Sequence, residues 1–190
     1  AEVGRKRSAG AWDKLSGKAA GWLAQALKAD LGAATAGLLD VEPQRMWETY
    51  ADLFGGLARA QGVTIVAPSA WLPDPDGGAS GAVLRNLSAI FGPSGELLGT
   101  QAKVLGAMED EARVAKGVGW RVIPTEVGRV GLLLGSDVLY PEVGRVLAYQ
   151  NAEMLLLQGA CSEAASYHKL RAAILARMQD NQLYAAASFV

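Results

Sequence analysis

The chain has 190 residues, 51% of them hydrophobic and 19% charged. That is one domain's worth, enough to bury about 70% of its unfolded surface and too apolar for a disordered polymer. With 18 basic against 19 acidic residues the formal charge is -1, which disfavours a nucleic-acid partner, and one cysteine and one histidine exclude a disulfide framework and a Cys/His zinc site. Only carboxylate-held metals stay open, and no metal or cofactor is expected.

Trp12, Leu15, Ala19, Trp22, Leu23, Ala26 and Leu27 recur at helical spacing with Gly32 placed to stop them, so residues 1–40 read as an N-terminal helical segment. The apolar stretch 19–39 is broken by Gln25, Lys28 and Asp30. Each charge costs about 2.5–3.5 kcal/mol at a bilayer centre, so no membrane span is expected. With a single cysteine suggesting a reducing compartment, a cytoplasmic location is expected. No initiating methionine or charged leader begins the chain, and the apolar stretch 184–190 has no polar tail, so residues 1–190 read as a single, partial domain.

A second helix is predicted with Asp40 as cap, Pro43 in its first turn, Met46, Tyr50, Phe54 and Leu57 as its buried stripe, and Gly62 as its stop. A buried strand follows at 63–67, then a Pro-, Gly- and Asp-rich loop at 68–81 whose Trp71-Leu-Pro segment is apolar enough to cover a pocket or a partner surface. Two antiparallel strands are expected at 82–91 and 96–103, and a further pair at 120–123 and 129–134. Pro141 and Glu142 open a helix with Val143, Val146 and Leu147 on one face and Asn151 at its end. A buried strand at 152–157 leads to a long helix capped by Ser162, with Tyr167, Leu170, Ile174 and Met178 on one side, before a last strand from Leu183. Helices alternate with strands at both ends and hairpins lie between, which argues for a layered α/β domain whose sheets are covered on both faces.

Five stretches, in order, carry a resemblance: Gly62-Val-Thr-Ile-Val-Ala-Pro-Ser; Asn86 in Arg85-Asn-Leu; Gly95-Glu-Leu-Leu-Gly-Thr-Gln-Ala-Lys; Gly131-Leu-Leu-Leu-Gly-Ser-Asp-Val-Leu-Tyr-Pro-Glu; and Ala176-Arg-Met-Gln-Asp-Asn-Gln-Leu-Tyr. Together they resemble the nitrilase superfamily of carbon-nitrogen hydrolases. The resemblance implies an α-β-β-α sandwich, here lacking its first strand and helix and its C-terminal part. It also implies a homodimer formed through the helix at 141–150 and the last helix, where Val143, Leu147 and Tyr149 are candidate interface residues.

The family's chemistry uses a Glu, a Lys and a Cys: a thiolate attacks an amide or nitrile carbon, a carboxylate moves the proton, and an ammonium stabilises the oxyanion. Lys103 matches the lysine. Glu109, in Met108-Glu-Asp-Glu, matches the supporting glutamate in preference to Glu111, and Glu2 stands for the general base, with alanine where the family has proline. The departure is at the nucleophile. The family's Gly-x-x-x-Cys-x-Asp, with Pro-Glu following, aligns on Gly131, Asp137, Pro141 and Glu142, and puts Gly135 on the cysteine.

The resemblance with this departure implies a protein that has lost thiol-dependent hydrolysis and keeps a small amide-like ligand site as a binding or assembly module. The alternative is an active amidase-type hydrolase of non-peptide carbon-nitrogen bonds whose displaced nucleophile is Ser136 or Cys161, or which uses a water held by Glu109 and Lys103. A triad of Ser136, Asp137 and His168 is a further arrangement the residue types permit.

Overall fold

Residues 43–75, 84–105 and 115–190 are described by the structure, a computed structural model. The helix read at 12–27, the predicted cap Asp40 and the residues at 76–83 and 106–114 lie outside them. Helix α1 (Pro43–Gln61) stops at Gly62, whose φ of +62° suits a residue without Cβ. Tyr50 is buried and Met46 and Phe54 are half-buried, as the stripe predicts, but Leu57 is exposed and Ala58 takes the inward place. Close approach is the reason. A Cβ on Gly55 would stand 2.8 Å from the Gly95 carbonyl oxygen, and the Arg59 Nε–H donates to Ser94 O at 2.8 Å, so the helix packs against a turn through its smallest residues.

That contact sets two effects of Gly55→Ala against each other. Alanine favours a helix interior by about 1 kcal/mol, whereas forcing a methyl against backbone costs about 1–3 kcal/mol. The clash is rigid on both sides, so a net loss of about 1 kcal/mol is expected, read as a lower urea midpoint at unchanged slope.

The first sheet is built around β3 (Leu84–Phe91). β1 (Ile65–Val66) pairs antiparallel with its Ile90–Phe91 end, and β2 (Ala70–Pro73) with its Leu84–Leu87 end, so the two lie in succession along one edge of β3. β4 (Leu97–Ala102) runs antiparallel along the other edge, with a register shift at Ile90/Phe91. Two expectations are corrected here. The strand at 63–67 is only two residues long, with Val63 exposed, and the loop read at 68–81 contains β2, whose Leu72 is buried rather than covering a pocket. Proline disguised β2: at the border of a strand bonded to one neighbour, the missing N–H is tolerated.

The second sheet has the order β5 (Val122–Thr125), β6 (Gly128–Leu134), β7 (Met154–Gly159), β8 (Tyr184–Phe189). β5 and β6 form an antiparallel hairpin; β6, β7 and β8 are parallel and joined through helices α2 (Pro141–Tyr149) and α3 (Ala164–Asn181). Side-chain alternation divides the core into layers. Val130, Leu132 and Leu134 join Ile123 and Ile90 between the sheets, while Leu133, Leu155 and Leu157 turn to the other face and pack with Val143, Leu147, Leu170 and Ile174 of the helices. On the far side Tyr50 and Ala58 of α1 pack on Leu87, Ala89 and Phe91. The result is the α-β-β-α sandwich. Tyr50 fastens its first layer: its hydroxyl donates to Pro68 O (3.0 Å) and accepts from Ala89 N (3.3 Å), and burial pushes its pKa up to about 12.

Several details of the second half differ from expectation. Glu163, not Ser162, occupies the cap position of α3, with no side-chain capping bond. The inward face of α3 carries Arg177 with Leu170 and Ile174, its guanidinium bonded to Val138 O and paired with Asp180, while Tyr167 and Met178 are half-buried. On α2, Val143 and Leu147 are fully buried in the chain's own core, so they are not interface residues; Val146 and Tyr149 face outward.

Candidate active site at the end of strand β6

β4 and β6 end side by side, and the residues immediately after them build the site. Lys103 follows the last residue of β4. Its backbone N–H donates to Asn86 O and its carbonyl accepts from Gly117 N, both at 2.8 Å, which fixes the point from which its side chain departs. That side chain reaches across the sandwich, where Nζ donates to Leu134 O (2.9 Å) and to Ser136 Oγ (2.7 Å). The ammonium is thus held at the C-terminal end of β6.

Beyond β6 the chain enters a single 3-10 turn (Gly135–Leu139). Gly135 opens it at φ +52°, a left-handed conformation that costs a residue with a Cβ about 1–2 kcal/mol. A Cβ placed there would lie 3.4 Å from Lys103 Nζ, an ordinary contact distance. Position 135 and Lys103 are therefore directly juxtaposed. Ser136 projects beside them. An ammonium only donates and a carbonyl only accepts, so the Ser136 hydroxyl accepts from Lys103 and donates to Leu105 O (3.1 Å).

Asp137, read in the sequence as an alignment anchor and as a possible triad member, has a structural role instead. It is fully buried, and its carboxylate accepts from Leu105 N (2.7 Å) and Val104 N (3.4 Å), tying the two residues after Lys103 to the turn after β6. Burial raises its pKa against the pull of those amides and of Lys103. Burial likewise lowers the pKa of Lys103, against the attraction of Asp137. One step earlier, Gln101 is buried and bonded to Gly119 O (2.9 Å) and Arg121 N (3.1 Å), which holds residues 119–121 against β4.

The depressed Lys103 pKa fixes the sign of its effect on stability. A group whose folded pKa lies below its unfolded value binds its proton more weakly when folded, so its contribution grows as pH rises through the folded pKa toward the unfolded one. Measured against Lys103→Met, the unaltered chain is expected to gain stability with rising pH in the window below about 10.5 and to level off above it.

The other candidates read from the sequence fall elsewhere. Glu2, Glu109 and Glu111 lie outside the described residues. His168 is exposed and meets Tyr167 edge-on at 5.2 Å, while the Asp137 carboxylate is taken by backbone amides, so the Ser136–Asp137–His168 triad is not assembled. Cys161 is half-buried, its N–H bonded to Val190 O, and it packs on the helix-side core. Among the described residues no group of three or more His, Cys, Asp or Glu is placed to hold a metal ion, and no helix is long and apolar enough to cross a membrane.

Comparison with known proteins decides the family. The family model described as carbon-nitrogen hydrolase matches residues 31–189. The chain belongs to the carbon-nitrogen hydrolase family. Solved structures agree with that assignment in fold. A carbon-nitrogen hydrolase from Helicobacter pylori G27 is 22% identical with a TM-score of 0.65, over 76% of this chain and 52% of its own. Saccharomyces cerevisiae Nit3, a member of branch 10 of the nitrilase superfamily, is 21% identical with a TM-score of 0.65, over 74% and 50%. A variant of the amidase from Nesterenkonia sp. AN1, carrying the acetamide moiety of fluoroacetamide on its active-site cysteine, is 25% identical with a TM-score of 0.62, over 79% and 55%. The chain thus spans about half the length of these hydrolase-family structures. No curated protein sequence matches it.

Proposed function

We propose that this member of the carbon-nitrogen hydrolase family has lost thiol-dependent amide and nitrile hydrolysis and acts as a binding or assembly module that retains the site. One observation carries the reading: the residue whose Cβ would stand 3.4 Å from Lys103 Nζ is a glycine. An ammonium there is suited to stabilise a developing oxyanion, but position 135 offers no atom to attack with. Fluoroacetamide treatment followed by peptide mapping tests this. Unmodified peptides spanning 131–142 are the expected result, and an adduct on Ser136 would contradict it.

A second reading rests on the 2.7 Å bond between Ser136 Oγ and Lys103 Nζ. Burial disfavours the charged form of Lys103, and a neutral amine is a base able to take a hydroxyl proton. In this reading the chain is an amidase-type hydrolase of non-peptide carbon-nitrogen bonds with Ser136 as displaced nucleophile. The hydroxyl proton, however, is directed at Leu105 O, which favours Ser136 as a strut. Cys161, among the helix-side core residues, has less to support it.

The assembly part of the proposal is a homodimer through α2 and α3, supported by the exposure of Val146 and Tyr149 on α2 and Leu175 on α3; light scattering on the purified chain reads its mass. A cytoplasmic location accords with the single, unpaired cysteine.

A further inference from the structure

An ammonium carries three N–H donors, and among the described residues only two of those on Lys103 are engaged, by Leu134 O and Ser136 Oγ. No described side chain occupies the side of Nζ toward residue 135. A Cβ built on Gly135 would, its chain neighbours apart, meet no other described atom within 4 Å than Nζ at 3.4 Å, so at least one further heavy atom fits beside the ammonium. Asp137, the acid that attracts Lys103 among the described residues, directs both its oxygens at the Val104 and Leu105 amides.

We propose that Lys103 and the bare Cα of Gly135 bind the carboxylate of a small organic acid, one oxygen on Nζ and the carboxylate carbon above Gly135. The proposal rests on the reading that position 135 carries no nucleophile, and it names the ligand class of that site. Two physical arguments favour a carboxylate over the carboxamide a working hydrolase would take. A hydrogen bond between two charged partners is roughly twice as strong as a neutral one. A half-buried ammonium, whose charge burial disfavours despite the attraction of Asp137, is stabilised more by an added counter-charge than by a dipole. A side chain at 135 would occupy the place of the carboxylate, so its absence creates the site.

Butyrate and butyramide, near-isosteric and differing in charge, are the probes, titrated into the purified chain with backbone amide chemical shifts as readout. Butyrate is expected to shift the amides of Lys103 and Gly135, with butyramide at least about tenfold weaker, as the stronger charged hydrogen bond requires. Lys103→Met and Gly135→Ala should each weaken butyrate by at least about tenfold while leaving amide shifts in α1 and β3 unchanged. Equal affinity for the two probes, no binding of butyrate, or butyrate binding that survives both substitutions would overturn the proposal. The comparison on the unaltered chain needs no variant to fold. Ammonia release from butyramide during the titration would instead overturn the loss of hydrolysis, so the two failures are read separately.

Discussion

A cysteine introduced by Gly135→Cys, in a Cys161→Ser background, is expected to titrate near pH 7, against about 8.5 for an ordinary cysteine, and to return toward that ordinary value when Lys103→Met is added. The distance sets the direction. The new Cβ would start 3.4 Å from Nζ, and a cation at that range favours thiolate over thiol. At pH 7 the thiolate share would rise from about 3% to about half, a large change in ultraviolet thiolate absorbance. Two costs oppose it. The left-handed backbone at 135 disfavours any Cβ by about 1–2 kcal/mol, which lowers stability without moving the titration. Partial burial raises a thiol pKa, but the ammonium acts at contact distance and should prevail. An introduced thiol that titrates at or above 8.5, or one indifferent to Lys103→Met, would mean that Lys103 does not serve position 135.

The second large effect is on folding. Asp137→Ala is expected to destabilise the chain by on the order of 3 kcal/mol, because it leaves the Leu105 and Val104 amides without their acceptor in a buried place and removes the charge compensating Lys103. Asp137→Asn keeps the shape and one acceptor oxygen, so it should recover part of the loss. Urea midpoints at unchanged slope give both numbers. An Asp137→Ala loss below about 0.5 kcal/mol, the range of an ordinary surface change, would show that the turn after β6 is held by something else.

What was legible in the sequence follows from what is local. The second half of β6, from Val130, reads as an apolar run because a strand between two layers buries both faces, and Leu132, Leu133 and Leu134 are all buried. α1 was legible in its stop at Gly62 and less so in its face: Ala58 displaced Leu57 because the turn at Gly95 comes within reach of Gly55, a contact between segments distant in sequence. β2 was hidden by its one proline, Pro73. At the site, Lys103 and Gly135 were each singled out by a motif, and the structure places a Cβ at 135 within 3.4 Å of Nζ. The Asp137 bonds to the chain after Lys103 have no signature in sequence, since they exist only once β4 and β6 end beside each other. Glu2, read as the general base, and Glu109, read as the supporting glutamate, lie outside the described residues.

The central proposal is that the Lys103 ammonium faces a residue with nothing to attack with, and ammonia release measures it most directly. The purified chain would be incubated with a series of short aliphatic amides and nitriles, alongside Ser136→Ala and Lys103→Met. The account predicts no release above the variants for any compound. Steady release by the unaltered chain that disappears in Ser136→Ala would contradict it and put the hydroxyl next to Lys103 in the place of the missing thiol.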